Sequence, residues 1–234
     1  MEQGEGDVVL YLHGYTGMDP WFPFLEVLSN RFRVISSEIP GFGESGCPSW
    51  VSTMDELAFF YVDILRELNV EHVSLVGSSL GGWLAVAFAS HYPSMVRRLV
   101  LVDAMGLHSP KVKVADIFLI SEEEHMKLRY FKPHGDQLLE KEVDFLEMAR
   151  ASRATAHLGW NPRLHDPKLP HKLCRITAPT LIVWGEEDGV VPPAFATLYQ
   201  SLIANAQVTR IPQSGHLPQF EQSDLFIESV GSFL

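Results

Sequence analysis

Long apolar runs are scarce in this sequence. No stretch approaches the ~18 consecutive apolar residues that a membrane-spanning helix requires, so no membrane span is expected. Basic charge is scarce too. Lys and Arg number 18 against 29 Asp and Glu, a net charge of −11. That balance argues against nucleic acid as a partner, because its phosphates would need cations. The only cysteines are Cys47 and Cys174. Two are too few for a disulfide framework and fit a reducing compartment, although a pairing between them stays open. Met1 to Asp7 is acidic and glycine-rich, without a secretory signal's basic and apolar regions. Cysteine usage and the missing signal together set the expectation of a cytoplasmic protein. No residues show metal-ligand spacing. His165 and His171 lie in a proline-rich stretch without cysteine partners and read as solvated loop residues. No metal and no cofactor are expected, and there are no repeats, linkers or low-complexity segments.

What remains is an apolar chain of 234 residues, 46% hydrophobic. That suits one α/β domain with a modest insertion. Short apolar runs too brief for helices read as buried strands at Val8–Leu12, Arg33–Ser37, from Val73 up to the turn at Gly77, and at Arg98–Asp103, Ala178–Gly185 and Gln207–Ile211. Helical patterns lie between them. One runs from about Trp21 to Asn30, with Pro20 near its start. Another runs from Thr53 to Asn69, where Thr53 and Glu56 make a capping box and Leu57, Phe60, Ile64, Leu65 and Leu68 form the apolar stripe. Strands alternating with helices predict a mainly parallel sheet covered on both faces.

The alternation stops between residues 106 and 170. This stretch has no convincing strand and carries charge clusters such as Glu122-Glu123-Glu124. Helical patterns fall around Val112–Met126 and Gln137–His157. The expectation is a helical cap at 106–170 over a core of 1–105 and 171–234. Phe118, Phe131, Phe145, Leu158 and Trp160 are the residues of that insertion that could line a pocket; the plainer alternative is that they pack it onto the sheet.

One stretch organises the rest. Gly77-Ser78-Ser79-Leu80-Gly81-Gly82 follows a strand and opens a helix in the pattern Gly-x-Ser-x-Gly. Such a turn holds its serine on a strained bend with the hydroxyl exposed above the sheet. Gly77 and Gly81 stand where side chains would collide across the bend. The motif alone also describes an ordinary tight turn, so the case depends on partners. A serine hydroxyl is a weak nucleophile at neutral pH and needs a neighbouring base. His216 lies on a loop after the last strand, at the sheet edge where open parallel sheets hold their ligands. His72 and His91 flank helix ends, and His125, His134 and His157 fall in the insertion. The base in turn needs a carboxylate to fix its tautomer and stabilise the imidazolium. Asp188 and Asp103 both end buried strands; Asp188 is the first candidate and Asp103 the reserve. Backbone N–H groups of Leu80 and Tyr15, the latter on the glycine loop after the first long strand, are the donors expected to serve as an oxyanion hole. Ser78 reads as a neighbour only.

Taken together, His13-Gly14, Pro40-Gly41-Phe42-Gly43-Glu44-Ser45, the serine turn, Gly185-Glu186-Glu187-Asp188 with Pro192, and Gly215-His216 resemble the α/β-hydrolase superfamily over nearly the whole chain. The resemblance implies a Ser-His-Asp hydrolase with a helical cap. The expected activity is that of a carboxylesterase on small to medium acyl esters. A carbon–carbon bond hydrolase, a lactonase, a thioesterase and a slow-turnover small-molecule receptor are the alternatives. Where relatives that cleave carbon–carbon bonds often have an aromatic residue after the histidine, this chain has Leu217. Family members also usually have two strands before the His-Gly strand, whereas seven residues precede Val8 here. On that count Arg33–Ser37 is expected to be an exposed sheet edge, an invitation to a homodimer.

Overall fold

The computed structural model describes residues 1–15, 17, 21–132 and 145–234. Runs of aliphatic and β-branched residues become strands: β1 (Glu2–Gln3), β2 (Val8–Leu12), β3 (Arg33–Ser36), β4 (Val73–Ser78), β5 (Val96–Val102), β6 (Thr180–Gly185) and β7 (Ala206–Ile211). They form one sheet in the order β1-β3-β2-β4-β5-β6-β7. Every pairing is parallel except that of β1 with β3. Residues of β4 and β6 are buried throughout, which explains why these strands read as continuous apolar runs without alternation.

The helices are α1 (Pro23–Ser29), α2 (Met54–Glu67), α3 (Leu80–His91), α4 (Glu122–Arg129), α5 (Phe145–Gly159), α6 (Leu169–Leu173), α7 (Ala194–Leu202), α8 (Pro218–Glu221) and α9 (Ser223–Phe233). Side chains alternate across a strand, so each strand feeds two cores. Val9 and Tyr11 meet Phe24 and Leu25 of α1 and Phe226 of α9. Leu10 and Leu12 face the other way, into the core shared with α2, α3 and α7. The cap of α2 forms as the sequence indicates. Thr53 Oγ1 accepts the Glu56 N–H at 3.2 Å, while the Glu56 carboxylate accepts the Ser52 N–H at 2.8 Å. α3 is apolar all round because Leu80 to Ser90 are buried on every side. The first turn of α1 carries Pro23, and Pro20 lies outside the described residues.

Three expectations change. Arg33–Ser36 is not a sheet edge, because Glu2 and Gln3 pair antiparallel with Ile35 and Val34. Gly4 and Gly6, at φ +79° and +99°, turn the chain back from β1 toward β2. The Met1 ammonium donates to the Ser36 carbonyl at 2.7 Å, and Arg33 binds the Glu2 carboxylate at 2.7 Å. A two-residue strand gives no hydrophobic pattern, which is why the sequence reading misses it.

The second change concerns the insertion. Residues 112–121 are not helical; the helix here is α4, capped by Ser121 Oγ accepting the Glu124 N–H at 3.2 Å. Asp116 accepts the Phe118 N–H at 3.2 Å and holds Arg163 at 2.8 Å, and the Ala115 N–H donates to the Val190 carbonyl at 2.8 Å. Those bonds give the backbone partners outside a helix and outweigh local periodicity. Between β5 and β6 the described residues hold no strand beyond one isolated bridge, Gly106 with His165. Of the helical pattern at 137–157, residues 137–144 lie outside the described residues, and α5 occupies the rest. His171 sits on the short helix α6, not in a loop.

Candidate active site

The turn after β4 is built by steric necessity. A Cβ on Gly77 would stand 2.4 Å from the Gly81 carbonyl oxygen, and one on Gly81 would stand 2.0 Å from that of Leu12. Between them Ser79 takes φ +53° and ψ −112°, a conformation L-residues rarely hold. The strain is held from several sides. The Ser79 N–H donates to the Val102 carbonyl at 2.8 Å, and the Ser79 carbonyl accepts N–H groups from Gly82, Trp83 and Met105. The hydroxyl thereby projects from the C-terminal edge of the sheet at the start of α3.

His216 arrives from the loop after β7. Its Nε2 lies 2.8 Å from Ser79 Oγ, and its Nδ1 lies 2.7 Å from Asp188 Oδ2. Asp188 Oδ1 accepts the N–H groups of Val190 and Val191 at 2.8 and 2.9 Å. Thus the carboxylate is clamped by backbone on one oxygen and faces the imidazole with the other. All three residues are buried, at 2%, 3% and 4% exposure for Ser79, Asp188 and His216. This chain of contacts can remove the serine proton toward the imidazole and stabilise the resulting charge.

The other sequence candidates are also nearby. Leu80 opens α3, where the first N–H groups of a helix have no intrahelical acceptor. Gly14 lies against the serine, so close that a Cβ there would be 3.2 Å from Ser79 Cβ. Tyr15 follows it and lines the same pocket, its ring 5.4 Å from that of His125. The loop's shape is set by His13, fully buried, whose Nε2 accepts the Ile39 N–H at 2.8 Å while Nδ1 lies 2.8 Å from the Gly14 carbonyl oxygen. Asp103 does not contact His216 by a hydrogen bond. Its Oδ1 accepts the Gly185 N–H at 3.0 Å, and burial first, then Asp188, hold its carboxyl well above the usual carboxylate range. One oxygen each of Asp103 and Asp188 and a ring nitrogen of His216 lie within 4.8 Å of one another, close enough to suggest a metal site. Both His216 nitrogens are already engaged, however, so the imidazole has no ring nitrogen left for an ion.

The pocket walls hold residues to which the sequence alone assigned no role. Tyr11, Ser78 and Gln219 form a polar side, with Gln219 Nε2 donating to Ser78 Oγ at 3.2 Å. The insertion contributes Ile117, His125 and Arg129. Arg129 is 8% exposed and has no carboxylate within ion-pair reach among the described residues; its Nη2 reaches the Tyr130 hydroxyl at 3.5 Å. His125 is pushed down to about 3, by burial first and then by Arg129 and His216, so it stands neutral. The signal that could have found this pair is an Arg four residues after a His on a helix, one face carrying both. Of the aromatic and aliphatic residues expected to line the pocket, Leu158 and Trp160 line a different cavity of about 410 Å³ beside Trp83. Phe118 packs against Trp160 at 5.4 Å, and the side chain of Phe145 lies outside the described residues.

The chain is similar to several known proteins. The chain is 30% identical over 262 residues to 2-hydroxy-6-oxononadienedioate/2-hydroxy-6-oxononatrienedioate hydrolase 1 of Pseudomonas putida, covering 99% of this chain and 89% of that one. A thermophilic esterase from Thermogutta terrifontis superposes with a TM-score of 0.79 at 27% identity, over 100% of this chain and 91% of the esterase. A meta-cleavage product hydrolase from Pseudomonas fluorescens shares the fold at a TM-score of 0.81 and 24% identity, over 100% and 92% of the two chains. In the described residues, no helix is long and apolar enough to cross a membrane. Residues 9–229 match the alpha/beta hydrolase family, a span that takes in the serine turn, the Asp188 loop and the His216 loop, and the chain belongs to that family.

Proposed function

We propose that this hydrolase works through an acyl-enzyme on Ser79. His216 takes the serine proton as Oγ attacks a carbonyl. Asp188 holds the ring and stabilises its charge. The Leu80 and Tyr15 N–H groups receive the oxyanion, and His216 then activates water to release the acid. The segment 106–170 acts as a cap over the core of 1–105 and 171–234. The substrate is a small-molecule ester with a small to medium apolar acyl group, so the activity is that of a carboxylesterase that needs no cofactor. The observation that carries this is the unbroken buried chain from Ser79 through His216 to Asp188, at 2.8 and 2.7 Å. A chain-length series of nitrophenyl esters tests it. Steady release that disappears in Ser79→Ala supports the reading. Release that survives that substitution overturns it, as does tight ligand binding with negligible turnover, the behaviour of a receptor.

A second reading rests on Arg129. A nearly buried cation in the pocket, without a carboxylate partner among the described residues, favours a substrate that brings its own anion. The Pseudomonas putida relative is named for a hydroxy-oxo diacid with no ester in it. Hydrolysis of such a compound must break a carbon–carbon bond. A lactonase or thioesterase has no comparable observation in its favour. Offering the enzyme a 2-hydroxy-6-oxo-dienoate beside a neutral nitrophenyl ester, and comparing kcat/KM, separates the two readings.

A further inference from the structure

Asp103 is the buried titratable group that the proposed mechanism leaves unused. It follows β5 at φ +47°, a left-handed conformation that Asp tolerates better than most residues. Its side chain is fully buried. Oδ1 accepts one hydrogen bond, from the Gly185 N–H at 3.0 Å. Oδ2 is buried with no hydrogen-bond partner. Gly185 ends β6, three residues before Asp188, so the same strand end anchors both carboxyl groups, and their oxygens lie within 4.8 Å.

Two carboxylates this close in a dry site do not both ionise. The hydrogen bonds decide which one keeps the proton. Asp188 has three partners: the Val190 and Val191 N–H groups and the His216 imidazole. Asp103 has one N–H and an orphaned oxygen. The anion is therefore favoured on Asp188 and the proton on Asp103. The other charged group bearing on Asp103, Glu221, is acidic and adds to the same preference.

We propose that Asp103 is a positioning residue that stands as a neutral carboxylic acid and directs its Oδ2 proton toward Asp188, so that Asp188 is the one anion behind His216. The proton stays on Asp103 throughout turnover; the proton that moves is that of Ser79, taken by His216. By donating toward Asp188, Asp103 also limits how strongly that carboxylate raises the basicity of the imidazole. This rests on reading Ser79, His216 and Asp188 as the reacting groups.

The test compares Asp103→Asn, which keeps a neutral donor and an acceptor for Gly185, with Asp103→Ala, which has neither. In Asp103→Asn, kcat/KM is expected within about threefold of wild type and its acid limb unmoved; in Asp103→Ala the acid limb moves up by about half to one pH unit. If Asp103 is ionised instead, both substitutions move the limb down, and Asp103→Asn loses activity by orders of magnitude. A limb that stays put in both variants leaves only a structural role and overturns the proposal. Infrared difference spectra of wild type against Asp103→Asn give a readout independent of turnover. The carbonyl stretch of a protonated carboxylic acid is expected in wild type at neutral pH and absent from the variant. Its absence from wild type overturns the proposal even if Asp103→Ala does not fold. Its presence in a protein without turnover would instead count against the triad reading alone.

Discussion

Ser79, Asp188 and His216 sit on loops held by backbone from several sides, whereas Ile117, His125 and Arg129 come from a segment with one face in solvent. In the first region close backbone contacts allow almost no variation. A Cβ on Gly185 would stand 1.8 Å from the Gly215 carbonyl oxygen, so the loops bearing the acid and the histidine pass in direct contact. In the second, α4 begins with three exposed glutamates and ends at the buried Arg129. The two meet at the helix's last turn. The Gly189 N–H donates to the Leu128 carbonyl at 3.1 Å, and the His216 N–H donates to that of Arg129 at 2.7 Å. The difference teaches a division of labour: strained core loops bring Ser79, Asp188 and His216 together, and the insertion supplies side chains that wall the pocket around them.

Breaking the first region has the largest expected effect. Ser79→Ala lowers kcat by about 10⁵-fold or more, and Asp188→Asn by about 10⁴-fold, with melting temperatures close to wild type. Steady-state kinetics with a nitrophenyl ester measures both. Gly185→Ala puts a methyl into carbonyl oxygen and destabilises by about 3 kcal/mol or more in denaturant unfolding. In the insertion, Arg129→Leu lowers kcat/KM by about 10- to 100-fold for a carboxylate-bearing substrate and little for a neutral one.

Acidification sharpens the contrast further. His125 is neutral in the fold with its value lowered from 6.5 to about 3. The unfolded chain therefore binds a proton that the fold refuses. Stability contributed by His125 is complete above pH 6.5 and falls by up to about 1.4 kcal/mol per unit as pH drops toward 3. Melting curves of wild type against His125→Gln should diverge over that window, and hydrogen exchange should show α4 loosening first. The smallest effect is expected from Gly159→Ala in the insertion. Its Cβ would meet ordinary contacts at 3.4 Å and beyond, for a change within about 0.5 kcal/mol.

Much of the first region was legible in the sequence because its constraints are local. Gly-x-Ser-x-Gly encodes a collision across four residues, and the apolar runs encode burial on both faces. Thr53 with Glu56 encodes the start of α2. The pocket walls were not legible for the opposite reason. Arg129 and His125 look like the polar residues of any charged helix, and their burial arises only when α4 docks on the loops of Asp188 and His216. Phe118, Leu158 and Trp160 were attractive as lining because they are large and apolar. That property is equally served by packing the insertion on itself and on Trp83.

The sequence by itself determined the strand and helix alternation, the strained serine turn and which loops return to the sheet's C-terminal edge. These follow from periodicity, glycine sterics and the handed crossover of parallel strands. Tertiary structure decided the rest. It made Asp188 the partner of His216 and left Asp103 behind it, because two carboxylates on neighbouring strand ends differ only in which way their loops turn. It covered β3 with Glu2 and Gln3, a pairing too short to leave a pattern. It also placed Arg129 inside the pocket, where burial turns an ordinary surface cation into a group that favours an anion.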